Sequence, residues 1–237
     1  EAVRERERAD DRQLVHAVRA MDDCERTANE LTERVAEWAG ARYDDAGTGV
    51  EYARQLAAEG ASAGPGDAAD ERLVALAERV AELADEADDL RRFVEETAPS
   101  VAPNLAAMAG PVLAARLIAL SGGLDALAKE PSSTVQVLGA EDALFAHLTG
   151  SAPSPKHGVI FTHEYVRGTR PDERGSAARA LAGKLTIAAR VDHYSGQRRP
   201  ELDAELDDRI ATIRGRGDDN EGASGDSDGG RGGDGDE

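Results

Sequence analysis

The stretch LVALAERVAELADEADDLRRFV, residues 73–94, decides the fold. Its apolar positions Leu73, Leu76, Val80, Leu83, Ala87, Leu90 and Val94 alternate steps of three and four. That is the narrow stripe of a coiled coil, not the broad face of a globular helix. Acidic residues and arginines fill most of the other positions, and Asp67 or Asp70 can cap the helix start. A second seam lies upstream, through Leu14, Val18, Met21, Cys24, Ala28, Leu31, Val35 and Trp38. It predicts a helix over 4–39 that Gly40 ends. Between the seams, 41–70 reads as a connector tip: GTG at 47–49 and GASAGPGDAAD at 60–70 are turn compositions, with a short helical piece at 50–58. Two seams of matching length predict an antiparallel coiled coil over 1–97, each arm on the order of 35 Å long at about 1.5 Å per residue. Such an arm buries too little to stand alone. Leu73, Leu76, Val80, Leu83 and Leu90 are therefore expected to support a homodimer, although a plain spacer fits the same pattern.

The texture changes near residue 98. APNLAAMAGPVLAARLIALSGGLDALAKEP, residues 102–131, is a small-residue helical run. Pro103 and Pro111 open its turns, Gly122-Gly123 ends them, and a short helix at 124–129 stops at Pro131. Ser132–Thr134 reads as irregular, a helix is expected from near Gly139 through Thr149, and 153–170 reads as a Pro/Gly-punctuated loop with an apolar stretch at 159–161. Helices follow over 171–190 and 201–214. The last segment, 215–237, cannot bury a core and is expected to be a disordered acidic tail.

Composition bounds the function. The 237 residues carry 28 basic and 47 acidic side chains, a net charge of −19, with 3% aromatic residues. Of the basic residues, Lys129, Lys156 and Lys184 are lysines and the rest are arginines. An acidic, lysine-poor, alanine-rich chain of this kind is expected of a cytoplasmic protein bathed in concentrated salt. One cysteine, Cys24, excludes an internal disulfide and a cysteine-based zinc site. No apolar run reaches the roughly 20 residues of a membrane span. The chain opens on the charged EAVRERERADD without a methionine, so a preceding part is expected.

The charge is unevenly spread. Residues 1–97 hold 13 basic and 26 acidic groups, 98–214 hold 13 of each, and 215–237 hold 2 and 8. Within the neutral block, 150–199 has nine basic residues against four acidic ones, a local net of +5. An island of that sign in an acidic chain is what a phosphate-backbone footprint looks like, although arginines paired to neighbouring carboxylates would give the same count. Arg179 and Arg190, eleven residues apart, fall near one azimuth of their helix, with Arg174 about 140° away. Catalysis is not expected. His147, His157, His163 and His193 with Glu141, Glu164 or Asp192 match no metal-ligand spacing, and no Walker loop, dinucleotide turn or nucleophile elbow is present. Neither a metal nor another cofactor is expected.

The run from Ala102 through VLGAEDALFAHL, then PKHGVIFTHEYV and RGSAARALAGKLTIAARVD, resembles the Nop domain of the archaeal box C/D ribonucleoprotein scaffold, a relative of the eukaryotic nucleolar Nop proteins. The resemblance covers roughly 98–214, and the combination of GAE, PKHG and AARVD is specific. It implies an all-α chain: coiled-coil arms, a compact helical Nop domain over 98–214, and the tail. It also implies an RNA-binding scaffold in a particle that guides ribose 2′-O-methylation. The domain would bind a composite surface, a kink-turn guide RNA already held by a small ribosomal-protein-like partner. Gln136, Gly139, Ala140, Glu141 and Phe145 would face partner and RNA, while Lys156, His157, Arg174, Arg179, Lys184 and Arg190 would line the RNA side. A fibrillarin-type methyltransferase would dock through a domain preceding the coiled coil. The family continues GAE with Lys and Ala-Leu-Phe with Arg; here stand Asp142 and Ala146, so the contact at the end of the guide duplex would lack both charges, with His147 a partial substitute. The competing reading is a coiled-coil adapter without direct RNA binding.

Overall fold

The computed structural model describes residues 10–63, 66–149 and 153–222. Among these, regular structure is helical throughout. The expected helix over 4–9 and the tail beyond Gly222 lie outside the described residues. The chain divides into two compact units, Glu1–Leu127 and Ala128–Glu237.

In the first unit, α1 (Asp10–Gly40) and α3 (Ala68–Val101) form the antiparallel arms. Arg42, just past the end of α1, reaches Asp67 and Asp70 at the start of α3 (both 2.6 Å), while Glu25 at the middle of α1 meets Arg91 in the second half of α3. Asp67 caps α3: its Oδ1 accepts from the amides of Ala69 (2.9 Å) and Asp70 (3.0 Å). Arg42 and Tyr43 donate to Asp70, and these bonds hold its carboxyl below the usual carboxylate range. The connector carries a longer helix than its turn composition suggested. Designated α2 (Gly49–Ala63), it buries Ala53 and Leu56 in a core shared with Val35, Ala39, Leu73, Ala77 and Val80.

The seam of α3 differs in phase from the one expected. Leu73, Val80, Ala87 and Val94 are buried, but their companions are Ala77 and Ala98, whereas Leu76, Leu83 and Leu90 are only half-buried. Two causes act together. A straight helix drifts by about 20° per heptad against a strict seven-residue repeat. In addition, α3 meets α1, α2 and the helices that follow it, so it buries a broader face than a two-stranded seam. The same drift leaves Trp38 exposed at the end of α1, where Thr32 and Ala39 take the buried positions.

The unit closes with α4 (Pro103–Ala109) and α5 (Pro111–Ser121), each opened by its proline. They break by 118° at Gly110, whose φ of 81° needs glycine. Together they are apolar, yet both bury most of their residues in the unit; among the described residues no single helix is long and apolar enough to cross a membrane. Arg116 of α5 binds Asp22 of α1 (2.5 Å), and Arg19 donates to the Ala119 carbonyl (3.0 Å). The change of texture at 97/98 is therefore not where the packing divides. The division falls within α6 (Leu124–Lys129).

The second unit is built around α10 (Arg174–Tyr194), which buries Ala177, Ala178, Leu181, Ala182, Leu185, Ala188 and Ala189. Around it pack α7 (Ser132–Val137), a 3-10 turn (Val159–Thr162), α9 (Glu164–Arg167) and α11 (Glu201–Gly222). Two segments read as irregular are thus helical. Pro131 starts α7, its carbonyl accepting from Thr134 and Val135, and the β-branched Val135 and Val137 that argue for extended chain are overridden by packing on α10. The apolar 159–161 stretch turns inward through Ile160, and His163 Nδ1 caps α9 by accepting from the Tyr165 amide (3.1 Å). The backbone of α11 continues to Gly222, past the expected tail boundary at 215.

Candidate nucleic-acid interface

The segment that leads into GAE, residues 136–138, is fastened to the PKHG motif, which starts sixteen residues after GAE does. Gly158 N donates to Gln136 O (2.8 Å), Val159 N to Leu138 O (2.7 Å), and Gln136 Nε2 to Lys156 O (2.7 Å). The chain at 156–159 is thus tied to the end of α7 and to Leu138 just after it. A Cβ on Gly158 would meet Leu138 O at 1.9 Å, so the approach requires glycine. At the turn, Gly139 takes φ 80°, and its amide donates to Glu141 Oε1 (2.9 Å). Glu141 therefore shapes the turn into α8 (Glu141–Leu148), with Ala140 at the helix start. Phe145 and Leu148 of α8 are 69% and 75% exposed, with Tyr194 the barest large apolar side chains of the unit among the described residues.

Behind the PKHG loop a short stack forms. The rings of His157 and Phe161 lie 4.5 Å apart at 18°, and the Arg174 guanidinium sits 5.5 Å from the Phe161 centroid. Arg174 also donates to Thr169 O (3.0 Å) and Arg167 O (3.3 Å). Burial, followed by the neighbouring Arg174 and Lys156, pushes the His157 imidazole below its ordinary range, which favours its neutral form. Sequence reasoning noted Phe161 only as apolar. The ring at i+4 from His157 was the available signal.

The basic residues divide into two groups. Lys184 pairs with Glu205 and ties α10 to α11. Arg190 donates through Nε to Ala128 O (3.0 Å) and through Nη2 to Glu130 O (3.3 Å), closing the end of α6 onto α10. Arg174 is engaged as described. The side chains of Lys156 and Arg179, by contrast, are exposed and make no hydrogen bond or ion pair among the described residues, and the same holds for that of Arg167, which was not singled out from sequence. Arg179 and Arg190 share the exposed face of α10, as their spacing predicts, and Ile187 and Tyr194 (71% exposed) lie on it too. Arg214 of α11 completes the frame, donating to Thr169 Oγ1 (3.2 Å) and Glu164 O (3.0 Å). Beside it, the Tyr165 hydroxyl donates to Asp207, which raises the phenol to about 12.

Taken as chemistry, this surface offers unpaired cations, a bare apolar helix and a rigid turn. Among the described residues no group of three or more His, Cys, Asp or Glu is placed to hold a metal. The comparisons with known proteins converge on one family. Residues 66–213 match the Nop family, described as "snoRNA binding domain, fibrillarin". An uncharacterised NOP5 family protein of Methanocaldococcus jannaschii is 46% identical over 142 residues, covering 60% of this chain and 34% of its own. Nucleolar protein 58 of Schizosaccharomyces pombe is 31% identical over 233 residues, 84% of this chain and 46% of its own. The chain thus spans between a third and a half of these relatives. Among solved structures, a chain of a fibrillarin/Nop5p complex superposes with a TM-score of 0.63 at 27% identity, over 90% of this chain and 72% of that one. With the family match spanning more than half of its length and the GAE–PKHG clasp at its centre, this chain belongs to the Nop family.

Proposed function

We propose that the chain is a non-catalytic scaffold of a box C/D ribonucleoprotein that guides ribose 2′-O-methylation, binding kink-turn RNA together with a small ribosomal-protein-like partner. The observation that carries this reading is the division of the cations in the second unit. Lys184, Arg174 and Arg190 hold the fold, while the exposed side chains of Lys156, Arg167 and Arg179 make no hydrogen bond or ion pair among the described residues. Three such groups are too few to retain RNA by charge alone, since each phosphate contact weakens with salt by about 0.9 log units per decade. A protein surface must supply the rest, and the exposed Phe145 and Leu148 of α8 suit that contact.

The same particle would contain a fibrillarin-type methyltransferase, and the half-buried Leu76, Leu83 and Leu90 would pair two copies through the arms. The acidic surface fits work in a cytoplasm of concentrated salt. Titration of labelled box C/D guide RNA at molar KCl, with and without the small kink-turn-binding partner, tests the composite site. Tight binding only in the presence of partner is expected; equal affinity in both arms overturns it.

A further inference from the structure

At the tip of the arms, α2 and the first turns of α3 enclose a cavity of about 610 Å³ to which the RNA reading gives no task. The two helices come together where Gly60 faces Val74; a Cβ on Gly60 would meet a Val74 methyl at 2.4 Å. Leu56 and Val74 give the cleft an apolar floor, and Tyr43 and Tyr52 line it with aromatic rings. Five of its lining residues are carboxylic acids, and none is lysine or arginine.

Three of those acids, Asp45, Glu71 and Glu78, make no side-chain hydrogen bond or ion pair among the described residues, and two of the three share α3. Glu71 and Glu78 are seven residues apart, which sets them on one face of α3 about 10 Å from each other along the axis. Their side chains make no hydrogen bond or ion pair among the described residues. Further along the same helix Glu82, Asp85 and Asp89 are answered by Arg79, Arg54 and Arg92. Unanswered carboxylates above an apolar, aromatic floor suit a cation on a hydrocarbon stem. The stem of an arginine would lie along Leu56 and Val74, and its guanidinium would meet tyrosine faces and carboxylate oxygens. The volume falls in the range of roughly 300–1,000 Å³ that buries a small organic ligand, more than a bare inorganic cation fills.

We propose that this cleft docks an arginine-bearing segment of a partner protein, with Glu71 and Glu78 receiving two cationic side chains. The proposal concerns the first unit and is independent of the RNA reading. It is tested on the full chain labelled with 3-fluorotyrosine, whose four tyrosine signals are assigned by Tyr→Phe variants and followed by ¹⁹F NMR. The probes are the peptide acetyl-Gly-Arg-Gly-Ser-Arg-Gly-amide, its citrulline analogue, and spermidine. The arginine peptide is expected to shift Tyr43 and Tyr52 saturably, at least tenfold more tightly than the citrulline peptide. Glu71→Lys with Glu78→Lys should weaken it tenfold or more. The same two reversals at Glu30 and Glu33 of α1, outside the cleft, should leave it within twofold, with circular dichroism verifying that both variants are folded. Equal binding of the citrulline peptide overturns the proposal, as does equal loss in the α1 variant. Spermidine binding as tightly as the arginine peptide overturns it too, by making the cleft a polyamine site.

Discussion

In the arms, arginines answer carboxylates: Arg26 pairs with Asp23, Arg34 with Glu37, Arg54 with Glu51 and Asp85, Arg79 with Glu82, and Arg92 with Asp89. In the second unit Arg174, Arg190 and Arg214 instead answer backbone carbonyls, at Thr169, Ala128 and Glu164. The difference separates two uses of one side chain. Exposed pairs on a helix contribute about 0–1 kcal/mol each and chiefly keep an acidic rod soluble. A guanidinium fork on carbonyls at helix ends and turns fixes where those segments sit, and at Glu164 it adds to the bond that the Gly168 amide already makes to the same carbonyl. Arginines in neither role are the ones available to a ligand.

The largest expected effect separates seam from flank in the arms. Val80 is fully buried, so Val80→Asp places an unpaired carboxylate in the core and should destabilise the first unit by about 3–5 kcal/mol. Leu83→Asp with Leu90→Asp falls on half-buried positions and should cost the monomer far less while abolishing self-association. Denaturant melts beside sedimentation decide this. If the Leu83/Leu90 variant still dimerises, the stripe is not the contact between copies.

Next comes the clasp. Gly158→Ala drives a methyl into the Leu138 carbonyl, and relief requires parting the loop from α7. A loss of about 3 kcal/mol in the stability of the second unit is expected, with overpacking commonly costing roughly 1–3 kcal/mol. A variant with wild-type melting would mean that the GAE and PKHG segments are not rigidly joined.

How much of this was legible beforehand follows from the range of the forces involved. The arms, the Asp67 cap, the proline starts and the Gly122 stop were readable because each is decided within a few residues; Gly122 does take the left-handed φ of 84°. The phase of the α3 seam was not, since it depends on α2 and α5 arriving from elsewhere in the chain. For the same reason, α7 was hidden in a Ser/Thr segment that reads as irregular until it packs on α10. In the site, the shared azimuth of Arg179 and Arg190 follows from spacing alone. Their different roles do not, because the carbonyls that hold Arg190 lie some sixty residues upstream.

Arg179→Ala and Arg190→Ala sharpen that point. Arg179 has no internal partner among the described residues, so its removal should weaken ternary RNA binding by about 1–3 kcal/mol and lower the salt slope by about one unit, with melting unchanged. Arg190→Ala should instead lower stability by about 1 kcal/mol, given the partial exposure of its bonds. Melting curves recorded beside binding isotherms separate the two. A stable Arg179→Ala protein that binds normally removes this face of α10 from the RNA site.

The smallest effect tests whether the stack behind PKHG is part of the fold or merely adjacent to it. Burial and the cationic neighbours Arg174 and Lys156 depress the His157 pKa in the folded chain below the unfolded value of about 6.5. The unfolded chain therefore takes up a proton first as pH falls. The stability His157 contributes is fully present above about pH 6.5 and is lost as pH falls through its folded pKa. The second unit should accordingly be less stable at pH 5 than at pH 7.5, by an amount that shrinks in His157→Phe, where the ring stays stacked on Phe161 but cannot be protonated. Tyr165 does not disturb this window, since its hydroxyl titrates near 12. The comparison is made by denaturant melts at the two pH values, with the His157 imidazole titration followed by NMR in the intact chain. An unchanged pH dependence in His157→Phe would assign the acid sensitivity to other groups, and a His157 titration at or above 6.5 would mean that the imidazole is open to water rather than packed behind the loop.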